Sequence, residues 1–320
     1  MDAAGARPKA LFVILTHEDS PRIRRLIARA REGLAGYADV LVAAYVEEDR
    51  PTPPILSGDW PARRFTRADF DALGYPGKMA RTPWTLIPGN TDLMTLKLWR
   101  ERPGLEHVWL MEGDVDYTGD LGALIAELGA SPADLLATSI RPQPENWFHG
   151  FGLSLPEGWQ EEGERLQAFL PFFRASAALL AALDAFYRAG GTGHNEITWP
   201  LVARARGLAL EDIGGAGPFT PAARRGRLYS SDLGETILYP GTFRYRPLMR
   251  RPGRRPDTLW HPIKDDGHAA HDYWLRVAKP KAQRLARRTA RRILALVAPR
   301  TAERLRAEAR ERWLESLRRR

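Results

Sequence analysis

The chain contains no cysteine in its 320 residues, and this absence excludes disulfide bonds and thiolate chemistry. Any zinc site would have to use histidine or carboxylate ligands. The absence also fits a reducing compartment, and we expect a cytoplasmic protein. Lysine is scarce too, since only 6 of the 48 basic residues are lysines. Arginine counts are therefore weak indicators of function in this chain, whereas each lysine is more informative.

Long hydrophobic runs are missing near the start of the chain. The first apolar run, Ala10 to Leu15, has about a third of the length that spanning a bilayer requires. We therefore expect neither a signal peptide nor an N-terminal membrane anchor. Hydrophobic content of 44% and charged content of 27% are ordinary for a globular protein.

The net charge of +9 is not spread over the chain. From residue 276 to the C-terminus there are 16 basic residues and 4 glutamates, so this tail carries +12 and the remainder carries −3. A nearly neutral main body gives no support for a basic groove that would bind a polyanion, and we expect no binding of nucleic acid by it.

The N-terminal third has the pattern of a β-α-β unit. Ala10 to Leu15 is continuously apolar, as in a strand that is buried on both faces. Ser20 is a good N-cap and Pro21 a good first residue for a helix that runs to about Gly33. Residues 39–45 form a second buried strand. Such units imply a parallel sheet with right-handed crossovers.

Alternating strand and helix patterns continue, and they predict an α/β fold with a mostly parallel central sheet. We predict one catalytic domain over residues 8–270, followed by a helical extension over residues 271–320. The expected strands after the first two span residues 107–112 and 134–139, with a hairpin at 237–249. Residues 51–88 read as a loop that contains at most a short helix. The expected helices span residues 67–73, 92–102, 121–128, 176–189 and about 195–206.

A group of carboxylates follows the strand at residues 107–112 directly. Glu112, Asp114, Asp116 and Asp120 lie in the sequence EGDVDYTGD. In open α/β sheets ligands bind beyond the carboxyl ends of the strands. Crowded carboxylates repel one another unless a cation offsets their charge, and Mg²⁺ or Mn²⁺ there could bridge phosphate oxygens. The alternative is a solvated acidic turn in which Asp120 caps the next helix.

Two known motifs fit the segment poorly. A calcium-binding EF-hand loop requires a bidentate glutamate at its twelfth position, which is Ile125 here. The segment DVDYT also resembles the motif of haloacid-dehalogenase-type phosphohydrolases, in which Asp114 would be the nucleophile and Asp116 the general acid. That motif normally opens its fold, whereas a β-α-β unit precedes it here. The phosphohydrolase remains an alternative hypothesis.

The order of these features resembles glycosyltransferases of the GT-A fold, which carry a D-x-D motif behind a nucleotide-binding β-α-β unit. The resemblance covers most of residues 10–266. It implies a Rossmann-like sheet, a nucleoside-diphosphate sugar as donor, and Mn²⁺ or Mg²⁺ as cofactor. Two registers stay open, because both Glu112-x-Asp114 and Asp114-x-Asp116 match. Asp114 belongs to both.

The resemblance implies further site residues. His261, in LWHPIK, would complete the metal shell, and Lys264 would contact the donor diphosphate. Glu196, at the start of a helix behind a glycine-rich turn, would deprotonate the acceptor hydroxyl, with His194 as a second candidate. Thr16 and His17, at the end of the first strand, would meet the nucleotide. Each residue also has an ordinary structural explanation, such as a helix-capping or surface role.

The basic tail is amphipathic. Leu285, Thr289 and Ile293 share one helical face among arginines, and a second helix is predicted after Pro299. Such helices can lie on an anionic membrane surface or dock on a partner protein, so the protein could be peripheral on the inner face of a membrane. We therefore predict a metal-dependent glycosyltransferase acting on a hydroxyl-bearing acceptor. A non-catalytic, membrane-associated adaptor is the other alternative.

Overall fold

The computed structural model describes residues 9–80, 82–145, 147–160, 163–264 and 268–297, together with the single positions 303, 308 and 311. The chain divides into two compact units, of which unit 1 ends at Asp265 and unit 2 begins at Asp266. The second tail helix predicted beyond Pro299 lies outside the described residues, apart from those three positions. Within the described residues, no helix combines the length and apolarity needed to cross a membrane.

Unit 1 is built on a central sheet with helices on both faces. Its strands are β1 (Ala10–Leu15), β2 (Ala38–Tyr45), β3 (Ala62–Phe65), β4 (His107–Glu112), β5 (Asp116–Tyr117), β6 (Leu135–Pro142), β7 (Leu166–Ser176), β8 (Leu210–Asp212) and β9 (Leu259–Trp260). Its helices are α1 (Pro21–Gly33), α2 (Arg67–Asp71), α3 (Pro76–Met79), α4 (Asp92–Glu101), α5 (Leu121–Gly129), α6 (Ala177–Arg188) and α7 (Asn195–Ala205). Short 3₁₀ turns cover Pro54–Ser57, Phe148–Gly152 and Ala222–Arg224.

The seven-stranded sheet has the order β3-β2-β1-β4-β7-β6-β8. Four of its neighbouring pairs are parallel, and only β7 runs antiparallel to both of its neighbours. The predicted α/β class with a mostly parallel sheet is therefore confirmed. From β1 the chain moves outward to β2 and β3, and it then returns to β4 on the other side of β1. This reversal creates a topological switch point between the carboxyl ends of β1 and β4, where open α/β sheets bind their ligands.

Side-chain alternation along β1 divides the core between the two faces of the sheet. Leu11 and Val13 pack on the face that carries α4, α6 and α7, whereas Phe12 and Ile14 pack on the face that carries α1 and α5. Because both faces are covered, a strand such as β1 is apolar throughout, and this continuous apolar run is the signal that predicted the strand. The N-cap prediction also holds, since the Ser20 hydroxyl accepts a hydrogen bond from the Ile23 N–H.

Several parts of unit 1 differ from the sequence-based expectation. β3 and α3 lie inside the segment that was expected to be loop, and β5, β7, β8 and β9 were not predicted. The predicted hairpin at 237–249 is wrong: Phe243 and Met249 instead form isolated parallel bridges with His261 and Ile263. Residues in this segment pair with a later part of the chain, which local periodicity does not show.

A buried ion pair ties two loops of unit 1 together. Lys78 Nζ lies 3.1 Å from an Asp92 carboxylate oxygen, and both side chains are fully buried. The ammonium also donates to the carbonyl oxygens of Gly89 (2.8 Å) and Gly193 (3.0 Å), and the Tyr187 hydroxyl donates to Asp92 at 2.7 Å. The pair thus joins the loop before α4 to the glycine-rich turn before α7.

Replacing Lys78 by methionine is expected to destabilise the protein by about 3–5 kcal/mol, because it leaves the Asp92 carboxylate buried without its cation. Urea unfolding followed by circular dichroism measures the effect. Lys97→Met is the matched control, since Lys97 forms a partly exposed pair with Glu101, and its loss should cost about 1 kcal/mol or less. Equal losses in the two variants would contradict the role assigned to the buried pair.

Unit 2 is helical in its described part. It contains α8 (His268–Tyr273), a one-turn π-helical segment (Trp274–Ala278) and α9 (Lys279–Val297). Tyr273, Trp274 and Leu275 are exposed, as is each described side chain from 281 to 293.

Candidate active site

The acidic segment leaves β4 through a tight turn. The Val115 N–H donates to the Glu112 carbonyl at 2.9 Å, and Val115 itself is buried. This turn ends the strand alternation, so residues before and after it do not share a face. At Gly113 the backbone approaches β1 so closely that a β-carbon would meet Thr16 Cβ and Oγ1 at 2.7 Å. Glycine is therefore the residue that fits between the two strand ends.

The end of unit 1 folds back onto this turn. β9 pairs antiparallel with β5, and beyond it the Ile263 N–H donates to the Asp114 carbonyl at 2.7 Å. The pairing places His261 and Lys264 beside Asp114, although they come from a distant part of the sequence.

Three side chains form a cluster that could hold a cation. One ligand atom each of Glu112, Asp114 and His261 lies within 4.8 Å of the other two. His261 Nε2 is 3.4 Å from Asp114 Oδ1, and Lys264 Nζ is 2.9 Å from Asp114 Oδ2. His261 is buried and the two acids are partly buried, so the cluster is sheltered but reaches the cleft.

The hydrogen bond made by His261 assigns a role to each ring nitrogen. Nδ1 lies 2.7 Å from the carbonyl oxygen of Arg244, which can only accept. In the neutral ring Nδ1 therefore carries the proton, and Nε2 presents its lone pair towards Asp114. This is the tautomer that a metal-binding histidine requires.

The donor set fits a divalent cation such as Mn²⁺ or Mg²⁺. Asp114 Oδ1 is buried and has no hydrogen-bond partner within the described part of the chain. A buried carboxylate oxygen without a partner is costly, and a cation would satisfy it. Two carboxylates and one imidazole suit Mn²⁺ in particular, and they leave coordination positions for oxygens of a substrate or water.

The charges within the cluster act on one another. Burial, with the Asp114 carboxylate beside it, raises the pKa of Glu112 to about 7. Burial also opposes ionisation of Asp114, but His261 and Lys264 outweigh it and hold the pKa of that carboxyl well below its usual range. The pKa values of the two neighbouring carboxyls thus move in opposite directions, because His261 and Lys264 act more strongly on Asp114 than on Glu112.

Asp116 does not belong to this cluster. It lies beyond the turn, in β5, where its carboxylate is 3.4 Å from Arg29 Nη1 and also accepts from the Tyr117 N–H. Of the two registers that the sequence left open, the structure brings together Glu112 and Asp114. Asp120 instead caps α5 by accepting from the Ala123 N–H.

A cleft of about 200 Å³ opens at the switch point, and we call it the β1–β4 cleft. Thr16 and His17, the residues that were predicted to meet the nucleotide, line this cleft. Thr16 is buried and its hydroxyl accepts from the Glu18 N–H at 3.0 Å, whereas His17 is exposed. Glu112, Asp114 and Lys264 line the same cleft.

A larger cleft of about 410 Å³ lies on the other side of the cluster, and we call it the β7–α7 cleft. It shares Glu112, Asp114 and Lys264 with the β1–β4 cleft, so the cluster stands where the two clefts meet. His261 also lines it, together with apolar side chains such as Phe169. Two clefts thus adjoin one candidate cation site.

Glu196 lines the β7–α7 cleft from the first turn of α7. One carboxylate oxygen accepts from the Leu170 N–H at 3.4 Å. Burial raises the pKa of Glu196 to about 8, against the opposing effects of that N–H and of Arg141. A carboxyl group with such a pKa can take up or release a proton near neutral pH.

His194 has a structural role at the same place. Its Nδ1 accepts from the Glu196 N–H at 3.3 Å, so it caps α7. Burial lowers the pKa of His194 well below its ordinary value, and the rings of His149 and His194 lie 3.8 Å apart. A capping nitrogen that is already occupied makes His194 a poor proton acceptor, and Glu196 is the better candidate.

Sequence reasoning missed Arg22, which holds the cluster together. This buried guanidinium donates to the carbonyl oxygens of Gly113 (2.7 Å) and Ile263 (3.4 Å). It therefore connects the turn that bears Asp114 with the segment that bears His261 and Lys264. Nothing in the sequence distinguishes Arg22 among 42 arginines, and it is identified by its hydrogen bonds to Gly113 and Ile263.

No family model matches the chain, and no curated protein matches it. Among solved structures, one similar chain is described as a glucose-1-phosphate thymidylyltransferase from Bacillus anthracis, with 8% identity, a TM-score of 0.38, and coverage of 63% of this chain and 86% of that chain. Another is core-mannan synthase A from Aspergillus fumigatus in its Mn/GDP form, with 11% identity, a TM-score of 0.35, and coverage of 66% and 74%. At this identity and TM-score, neither similarity identifies the activity of this chain.

Proposed function

We propose that the protein is a metal-dependent glycosyltransferase that uses a nucleoside-diphosphate sugar. One observation carries the proposal: Glu112, Asp114 and His261 converge at the switch point, and the two acids line both clefts. A divalent cation bound there would neutralise charge on the leaving diphosphate. Two compartments around one cation site match the needs of a reaction with a donor and an acceptor.

The proposed donor compartment is the β1–β4 cleft. Thr16 and His17 would contact the nucleoside, because they stand at the carboxyl end of β1. Lys264, whose side chain is about one-third exposed, would place its ammonium against the diphosphate, where negative charge grows as the glycosidic bond breaks.

The proposed acceptor compartment is the β7–α7 cleft. Glu196 would accept the proton of an acceptor hydroxyl there if the reaction inverts the anomeric centre. The role of Glu196 as the base is supported by its burial in the wall of this cleft together with its pKa of about 8. The Leu170 N–H orients the carboxylate that would do this.

The phosphohydrolase alternative has less support. It requires Asp114 and Asp116 to act together as nucleophile and general acid. The Asp116 carboxylate instead lies against Arg29, on the far side of the turn from the cluster. The adaptor alternative offers no reason for a buried carboxylate oxygen, at the meeting point of two clefts, that makes no hydrogen bond within the described residues.

A thermal-shift experiment tests the proposal. UDP or GDP is expected to raise the Tm of the protein when Mn²⁺ is present and to leave it unchanged with EDTA. A free nucleotide concentration of about 100 times Kd stabilises a folded protein by about 2.7 kcal/mol, which is easily measured. The matched ligands UMP and GMP, which lack the diphosphate, should give a much smaller shift. An equal shift with EDTA, or none with any nucleoside diphosphate, would overturn the proposal.

A further inference from the structure

Unit 2 carries an apolar stripe that is open to solvent. In α9, Leu285 is 65% exposed and Ile293 is 56% exposed, and they lie two turns apart with Thr289 between them. Residues spaced by four share one face of an α-helix. Exposure of large aliphatic side chains to water is unfavourable, so burial of the stripe against another surface would stabilise the protein.

The other faces of α9 are strongly cationic. Between residues 273 and 297 the sequence contains eight basic residues and no acidic residue. Arg284 and Arg288 are both exposed, and a helical repeat of 3.6 residues places them outside the stripe. The covering surface must therefore be apolar where it meets the stripe and anionic beside it.

Aromatic side chains stand at the N-terminal end of this surface. Trp274 is 51% exposed and Tyr273 is 46% exposed, and Lys279 Nζ lies 5.5 Å from the centre of the Trp274 ring. Tryptophan and tyrosine favour the boundary between lipid headgroups and hydrocarbon, because their rings combine apolar area with a polar group. Lysine and arginine beside them can extend towards lipid phosphates.

We propose that residues 273–297 bind an anionic membrane surface, with α9 lying in the plane of the interface. Its aliphatic stripe enters the acyl boundary and its basic faces contact anionic headgroups. Two other occupants fit less well. A nucleic acid would use the positive charge but leave the stripe uncovered, and a second copy of α9 would bring two cationic helices together without any acid to offset them. The cytoplasmic leaflet of a cell membrane has the required negative charge. This inference is independent of the proposed catalysis.

Vesicle co-sedimentation of the full-length protein tests the inference. The protein should sediment with vesicles of equal parts phosphatidylcholine and phosphatidylglycerol, and should remain in solution with pure phosphatidylcholine. Leu285→Glu combined with Ile293→Glu is expected to weaken binding by at least about tenfold, because it places charge in the stripe. Gln283→Glu combined with Ala290→Glu is the matched control: it adds the same charge outside the stripe, and should weaken binding much less.

A second double variant tests whether weaker binding could result from unfolding of α9. Arg284→Gln combined with Arg288→Gln keeps helix propensity and should weaken binding to the anionic vesicles, most strongly at low salt. Absence of binding to anionic vesicles would overturn the inference. Equal weakening by the two glutamate pairs would overturn the inference as well, since it indicates a purely electrostatic contact that does not use the stripe. All variants should retain the Mn²⁺-dependent thermal shift with nucleotide, so the outcome is separable from that of the catalytic proposal.

Discussion

Asp114→Asn is expected to abolish the Mn²⁺-dependent stabilisation by UDP or GDP and to reduce turnover by about 10²- to 10³-fold or more. The substitution keeps the size of the side chain but removes the charge that His261 and Lys264 surround. An amide oxygen is also a weaker ligand for a hard divalent cation than a carboxylate oxygen. Electron paramagnetic resonance of free Mn²⁺ gives the cation affinity directly, without knowledge of the sugar.

Asp116→Asn is the matched control for this experiment. It makes the same chemical change two residues away, at a position that the literal D-x-D motif would also predict to be a metal ligand. Because the Asp116 carboxylate lies against Arg29, we expect its replacement to leave Mn²⁺ affinity within about twofold and to have a modest effect on stability. Equal loss of Mn²⁺ binding in both variants would show that the cluster defined here is the wrong one.

Glu196→Gln is expected to lower turnover by about 10²- to 10⁴-fold while leaving the thermal shift with Mn²⁺ and nucleotide intact. A base in the acceptor compartment acts on the proton of the acceptor and does not hold the donor. In the wild-type protein turnover should rise with pH towards about 8, the pKa of this carboxyl, because only the ionised form accepts a proton. A variant that retains full turnover would exclude Glu196 as the base.

The same variant should be more stable than the wild type at high pH. Burial raises the pKa of Glu196 from 4.5 to about 8, so the folded state holds this proton more tightly than the unfolded chain does. The resulting penalty is absent below about pH 4.5, grows as the pH rises, and is complete above about pH 8. Glutamine never ionises, and the Tm difference in its favour should therefore be larger at pH 9 than at pH 5. Glu32→Gln, at an exposed position on α1, should show no such dependence.

Some elements were readable from sequence because their signals are local. β1 and β2 are buried on both faces and therefore apolar throughout, and the Ser20-Pro21 pair marks the start of α1. β7 was missed because Pro171 and Arg174 interrupt it, and a proline or a buried charge normally argues against a central strand. Arg174 is tolerated because its guanidinium donates to backbone carbonyls that include those of Ser131 and Ala133. Those acceptors lie far away in sequence.

In the candidate site, too, the local features could be predicted from the sequence and the contacts between distant residues could not. Residue type and position after a strand drew attention to Glu112 and Asp114, and their placement at the sheet edge follows from the parallel topology. The separation of Asp116 from them depends on a turn closed by a single backbone hydrogen bond, which the spacing of the acids does not predict. The approach of His261 depends on β9 pairing with β5, a contact between distant parts of the chain.

Because β9 lies late in the chain, the candidate cation site can be completed only late in synthesis. Chains fold from the N-terminus as they leave the ribosome. A nascent chain that has emerged only as far as residue 250 holds Glu112 and Asp114, but it lacks both His261 and Lys264. Without their histidine partner the two carboxylates would bind a divalent cation more weakly, so the proposed cation site would be complete only after β9 has paired with β5.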